Sequence, residues 1–285
     1  MWAIHSMATI SALTAVAAAL LIRWVGGRGP LEAVGIWLRL LAVSPRALLF
    51  FAALLTILLA NKYELRLEAL FPEPKDLTAA LTDWEGAWQG RLQRRLASPA
   101  LTWTCALLYL VIFQAFVITS ITLYASERNK RLYYAFCTAL LLDYLIAMPF
   151  FLLLPVNEAW HVAPQIRFLM LDVYPEFESQ YRRLSGLDNC FPSLHTAISV
   201  TTALIALRSG RRKWALLAWL HAGAILFSIF YLGIHWATDM LAGIALAAVA
   251  SATGWAVGGW AARADRPEEG RSLRGKLASS RYTGS

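Results

Sequence analysis

The chain has 285 residues, of which 58% are hydrophobic and only 15% charged. A soluble domain carries about 25% charged residues, so the composition excludes an ordinary soluble globule and points to a membrane protein. The net charge of +8 lies in short clusters between apolar runs, which argues against nucleic acid as a partner and places the excess beside anionic lipid.

A span needs about 20 apolar residues, fewer where flanking side chains snorkel. Seven runs qualify, and the first covers 7–25. No basic segment precedes it and it is long enough to cross, so it reads as a retained helix rather than a cleaved leader. The second run, 47–61, is short; residues 31–43 are also apolar, and Pro45 marks a kink or break between them. The next segment is not a span. Leu77, Leu81, Trp84, Trp88, Leu92 and Leu96 recur at helical spacing, with Asp83, Glu85, Gln89, Arg91, Arg94 and Arg95 between them. Such an amphipathic helix either lies flat in the membrane interface with its tryptophans as anchors or packs on the bundle; both placements stay open, and either borders a lipid access path.

The third and fourth runs are 101–125 and 133–155, the latter with Asp143 at its middle, where a carboxylate needs a partner or water. A loop, 156–190, follows, and then the last three runs, 192–207, 214–231 and 237–260. His221, inside the sixth run, reads as a packed residue. The segment from 262 on is rich in Arg, Gly and Ser and reads as a disordered tail. Cys105, Cys137 and Cys190, odd in number and scattered, form neither a disulfide framework nor a metal knuckle.

Lys and Arg set the orientation. Arg23, Arg28, Arg39 and Arg46, then Arg128, Lys130 and Arg131, then Arg208, Arg211, Arg212 and Lys213, then the tail from Arg263, all fall on one side if the spans alternate. That side is cytoplasmic by the positive-inside rule. The loop 156–190 falls opposite, where Glu158, Asp172, Glu176, Glu178 and Asp188 outnumber Arg167, Arg182 and Arg183.

Two polar stretches interrupt the apolar background. One is Asn189-Cys190-Phe191-Pro192-Ser193-Leu194-His195-Thr196, at the start of the fifth run; the other is His235-Trp236-Ala237-Thr238-Asp239, where the sixth turns into the seventh. Alternating spans bring both to the extracytoplasmic face. Pro192 suits a first helical position, and the free amides of two facing helix starts make an anion site. His235 and Asp239, four apart, share a helix face, so Asp239 can orient the imidazole and raise its basicity. This trio suits phosphoryl transfer: His235 as nucleophile, Asp239 compensating its developing charge, His195 as acid and then base, Ser193 and the helix amides on the phosphate oxygens. The trio needs no metal or other cofactor. Asn157, Glu158 and His161, at the start of the loop, are further candidates for the pocket.

Pro192-Ser193-Leu194-His195 and His235-Trp236-Ala237-Thr238-Asp239 resemble the paired Pro-Ser-x-His and His-x-x-x-Asp motifs of the type-2 phosphatidic acid phosphatase superfamily. Ser-Leu-His, in place of the commoner Ser-Gly-His, resembles the inositol phosphorylceramide synthase (aureobasidin-resistance) branch. The resemblance implies an all-α polytopic transmembrane bundle: a six-helix phosphatase-like core, here with an extra N-terminal span and the amphipathic helix. Residues 1–45 then form the first span and connector, 46–261 the catalytic domain and 262–285 the tail. It implies a membrane phosphatase or phosphotransferase acting on a lipid phosphate, phosphodiester or diphosphate through a phosphohistidine, with inositol or another alcohol as a candidate acceptor. Two basic elements of the common phosphatases are replaced: Ile229 stands where an Arg precedes the second His, and no Lys-x6-Arg-Pro occurs in 156–187. Arg167, Arg182 and Arg183 are the candidates to bind phosphate instead. A non-catalytic lipid binder or transporter on the same scaffold is the competing expectation, and a metal-dependent hydrolase with histidine ligands is a third.

Overall fold

A computed structural model describes residues 4–61, 77–182 and 186–265. Its long helices are α1 (Met7–Gly26), α2 (Pro30–Val43), α3 (Pro45–Asn61), α4 (Thr78–Leu96), α5 (Pro99–Ser126), α6 (Lys130–Leu153), α7 (Leu194–Leu207), α8 (Arg212–Tyr231) and α9 (Ala237–Ala264). No strand occurs among the described residues, and a single bridge, Val156 to Asn189, closes the base of the α6–α7 loop. The protein is an all-α bundle of membrane-spanning character. Among the described residues five helices (α1, α5, α6, α8 and α9) are each long and apolar enough to cross a bilayer. The pair α2 and α3 qualifies only as one unit bent by 106°. The bend falls where Pro45 has no N–H to continue the helix, and the Ser44 Oγ accepts the Ala47 amide at 3.2 Å to restart it.

The start of α7 differs from expectation. Pro192 is not its first residue; the helix opens at Leu194 with Ser193 as N-cap. At the far end, α9 continues through Ala264 and so runs past the expected boundary at 262. The basic tail beyond 265, like Arg183, lies outside the described residues.

Small residues bring α9 against its neighbours. A Cβ on Gly254 would lie 2.5 Å from the Ala135 carbonyl oxygen, and one on Gly258 would lie 2.6 Å from that of Arg131, so only glycine permits the α6–α9 approach. Nearer the other end, a Cβ on Gly243 would sit 2.6 Å from the Ser193 carbonyl oxygen, which fixes α9 against the start of α7. Asp143 finds a partner inside the bundle, accepting from the Thr201 hydroxyl at 3.3 Å. His221 is buried and stacks on Phe116 with ring centroids 3.9 Å apart.

The basic segments meet at one end of the bundle. Arg28 donates to the Ser126 carbonyl at 2.7 Å, and Arg211 donates to that of Val25 at 2.9 Å and pairs with Glu127. Asp265 receives Lys130 at 2.8 Å, the Tyr134 hydroxyl at 2.6 Å and an ion pair from Arg46. Burial works to raise the Asp265 carboxyl, but these donors and charges outweigh it and hold the group below its usual range. The starts of α7 and α9, the α6–α7 loop and α4 gather at the opposite end.

Candidate active site

The two polar stretches, some 40 residues apart in the chain, converge at that opposite end. The Ser193 amide donates to the Asp239 carbonyl at 3.1 Å, which ties the start of α7 to the first turn of α9. The rings of His195 and His235 then lie 6.0 Å apart, centroid to centroid. His235 Nδ1 is 3.3 Å from Asp239 Oδ2, and the same oxygen accepts the Trp236 amide at 2.9 Å. Two donors on one carboxylate oxygen fix the rotamer of Asp239, and Asp239 in turn fixes the imidazole. Asp239 is fully buried and its Oδ1 has no partner among the described residues.

His195 is held by stacking. Tyr109 lies 4.3 Å from it at 25°, and Phe113 lies 4.8 Å away at 45°. Tyr109 sits in a π-helical stretch of α5, Leu108–Ile112, with Phe113 directly after it. Such bulges shift the register of a helix face and recur at functional sites. Both histidines line a cavity of about 310 Å³ that also takes in Asn61, Gln114, Tyr144 and Glu158. Leu194 and His195 belong to the first turn of α7 and line the same cavity, so of the amides that a helix start cannot bond internally, theirs belong to lining residues.

Part of the expected anion site is occupied by protein. The carboxylate of Glu85, on α4, accepts from the Ala237 and Thr238 amides and from the Thr238 hydroxyl. The Ala237 and Thr238 amides at the start of α9 are therefore capped by Glu85 and are not offered to a ligand. Ser193 likewise stands back from the cavity: it is fully buried, and its Oγ accepts the Thr196 amide at 3.3 Å, so it sets where α7 begins.

Of the candidate arginines that are described, neither Arg167 nor Arg182 faces the histidines. Arg167 is exposed and pairs with Asp172 at 3.3 Å, off the cavity. Arg182 is largely buried between Glu158, at 2.7 and 2.9 Å, and Glu178, at 2.9 Å. Burial opposes the charge on Arg182, but the two carboxylates outweigh that and raise its pKa above the ordinary arginine value. Its guanidinium is committed to neutralising Glu158, which lines the cavity, so no Lys or Arg faces the histidines among the described lining residues. Of the weaker candidates, Glu158 reaches the cavity. Asn157 supports it from behind, its carbonyl accepting the Trp236 indole N–H at 2.9 Å, and His161 is exposed.

Helix α4 carries the residues that the sequence reading missed. Its buried face is not the Leu/Trp stripe but Leu81 with Glu85, Gly86, Gln89, Gly90 and Gln93. The Gln89 amide donates to the carbonyls of Phe230 and His235 at 2.9 and 3.0 Å, and that of Gln93 to Arg167 and Tyr231 at 2.8 and 3.0 Å. Glycines 86 and 90 admit the 163–167 segment, since a Cβ on either would meet Gln165 at 2.6 to 2.8 Å. Trp84 faces outward, and Trp88 stacks on Phe230 at 4.7 Å. The signal was present as a second period: polar residues at 85, 89 and 93 beside glycines at 86 and 90. Gly233 (φ +84) completes the clamp, because a Cβ there would sit 2.6 Å from the Arg167 carbonyl oxygen.

A family model described as the PAP2 superfamily matches residues 75–253, the stretch that holds α4, both histidines and Asp239. Comparison with curated proteins and with solved structures finds no match.

Proposed function

The chain belongs to the PAP2 superfamily, and from that premise we propose that it is a membrane enzyme that moves the phosphoryl group of a lipid through a phosphohistidine on His235. The observation that carries the reading is the convergence of His235, Asp239 and His195 on one cavity. His235 attacks phosphorus through Nε2, because Nδ1 is engaged by Asp239, and the positive charge left on the ring is compensated by that carboxylate. The P–O bond to the leaving alcohol breaks, and His195 delivers its proton to that oxygen. In the second half His195 takes a proton from the incoming hydroxyl, which attacks phosphorus and frees His235. Phosphate oxygens rest on the Leu194 and His195 amides at the start of α7. Side chains supply nucleophile, acid and charge compensation, so the proposed chemistry is metal-independent.

The lining favours one substrate class among the three. A phosphate monoester brings close to two negative charges, and burying them without a cation is costly. A phosphodiester brings one. With Arg182 spent on Glu158 and Arg167 outside, the described lining suits a singly charged lipid phosphodiester best. Cleaving a diester and passing the phosphoryl unit to an alcohol, inositol being the acceptor that the Ser-Leu-His resemblance suggests, is a transferase reaction; water as acceptor makes it a hydrolase. We place the site on the extracytoplasmic side of the cell membrane and the C-terminus in the cytoplasm.

The test is rapid-quench trapping with purified protein and phosphorus-labelled lipids: a monoester, a diester and a diphosphate, each with and without inositol. Label should appear on His235 from the diester, persist longest without acceptor, and vanish in His235→Ala along with at least about a thousandfold of turnover. Biological activity surviving in His235→Ala would instead identify a lipid binder or transporter.

A further inference from the structure

Cys190 enters no step of the proposed chemistry, yet it stands against the catalytic pair. Its thiol sulfur, a nitrogen of His235 and a carboxylate oxygen of Asp239 all lie within 4.8 Å of one another, and all three residues are buried. Asp239 Oδ1 has no hydrogen-bond partner among the described residues, a costly condition for a fully buried carboxylate. Cys190 and His235 both line the cavity, so a small cation has a path to this point. Thiolate, imidazole and carboxylate at such spacing are the ligand types of Zn²⁺, which takes sulfur at about 2.3 Å and nitrogen or oxygen at about 2.0–2.2 Å.

We propose that Cys190, His235 and Asp239 form a three-ligand site for Zn²⁺ or a similar thiophilic divalent cation, with the cavity supplying the fourth position, and that filling it switches the enzyme off. The position of Cys190 is set by backbone: its amide donates to the Val156 carbonyl at 3.2 Å, and its thiol lies 3.7 Å from the Ile234 carbonyl. A metal bound on the Asp239 side of His235 takes the Nδ1 lone pair. The imidazole proton then resides on Nε2, and the nitrogen that attacks phosphorus has no lone pair left. The thiol proton leaves to solvent as the sulfur binds. Asp239 changes from orienting a nucleophile to ligating a cation. Inhibition is therefore built into the same contacts that make catalysis possible, and Cys190 is the residue that turns them into a metal site.

Only the inhibition half rests on the phosphohistidine reading; the metal site rests on geometry alone. The experiment titrates Co²⁺ into the purified full chain and follows the thiolate-to-cobalt charge-transfer band. In parallel, Zn²⁺ is titrated into the lipid phosphoryl assay and each protein is scored against its own zinc-free rate. Wild type should show the band at one cobalt per chain, as should Cys105→Ala/Cys137→Ala. Cys190→Ser, Cys190→Ala and His235→Ala should lack it. Losing a ligand should raise the zinc needed for half-inhibition at least about tenfold in Cys190→Ser, and a chelator should restore wild-type turnover. A band that survives Cys190→Ser, or equal zinc sensitivity in wild type and variant, overturns the proposal. A band with full turnover at saturating zinc overturns the assignment of His235 as ligand. If no lipid phosphate is turned over at all, the proposed function fails, and the cobalt titration still decides the metal site.

Discussion

Glu85 shows how one buried charge sets a site from outside it. It does not line the cavity, and it sits on a helix whose other face is open. Its carboxylate nevertheless holds the Ala237 and Thr238 amides in the first turn of α9, the two residues directly before Asp239 and directly after the His235-Trp236 pair. A carboxylate at a helix N-terminus accepts both free amides and compensates the dipole. An amide in its place turns an N–H toward donors. Glu85→Gln is expected to lower kcat roughly tenfold, about 1.4 kcal/mol of lost transition-state stabilisation, with KM nearly unchanged. Trp84→Ala, next along the chain but facing outward, should leave kcat as it was. Steady-state kinetics of the two variants on the same lipid checks this; an unaltered kcat in Glu85→Gln would reduce the residue to a helix cap without a positioning role.

Among the elements, α9 and α4 meet the bundle by opposite means from those their hydrophobicity suggests. Helix α9 touches α6 through glycines, so its contact is close backbone packing and not large apolar side chains. Gly258→Leu would drive a side chain into the Arg131 carbonyl and the Ala135 backbone. Overpacking of this kind costs about 1–3 kcal/mol or more, and the thermal midpoint of the detergent-solubilised protein should drop by several degrees, with phosphoryl transfer falling in proportion to unfolded protein. Gly223 on α8 meets nothing within 4 Å, so Gly223→Ala is the contrasting case: alanine restores up to about 1 kcal/mol of helix propensity and should hold or raise the midpoint. Helix α4 turns its glycine and glutamine face inward to reach backbone carbonyls that no apolar residue could satisfy.

Taken whole, the molecule has two chemically distinct ends. One gathers Arg28, Arg46, Lys130 and Arg211 and closes them over Asp265, Glu127 and helix carbonyls; the other holds the histidines, α4 and the α6–α7 loop. If the basic end faces the cytoplasm, as we propose, its charge is favoured by anionic lipid. Cys105 and Cys137 are buried, and with cavity-lining Cys190 replaced by Ser an engineered surface cysteine reports alone. In intact cells an impermeant maleimide should label Trp84→Cys. It should reach Arg212→Cys only after permeabilisation. The reverse pattern would invert the topology and put the site inside.

The amino-acid sequence by itself determined that this is an apolar helical bundle, that the basic clusters among its described residues share one end, and that His195, His235 and Asp239 meet at the other. Those features follow from span length, charge placement and helical periodicity, all of which act locally along the chain. The partners of the lone charges were not legible. Arg182 lay as close in sequence to a phosphate-binding role as Arg167 did, and only tertiary packing decided that it neutralises Glu158 while Arg167 stays outside. Glu85 read only as one of the polar residues between the Leu/Trp positions of an amphipathic helix, and the fold buried it against the start of α9. A side-chain amide or carboxylate is recruited by whichever unsatisfied backbone group ends up beside it, and that neighbour is fixed by how helices pack, not by the residues on either side in the chain.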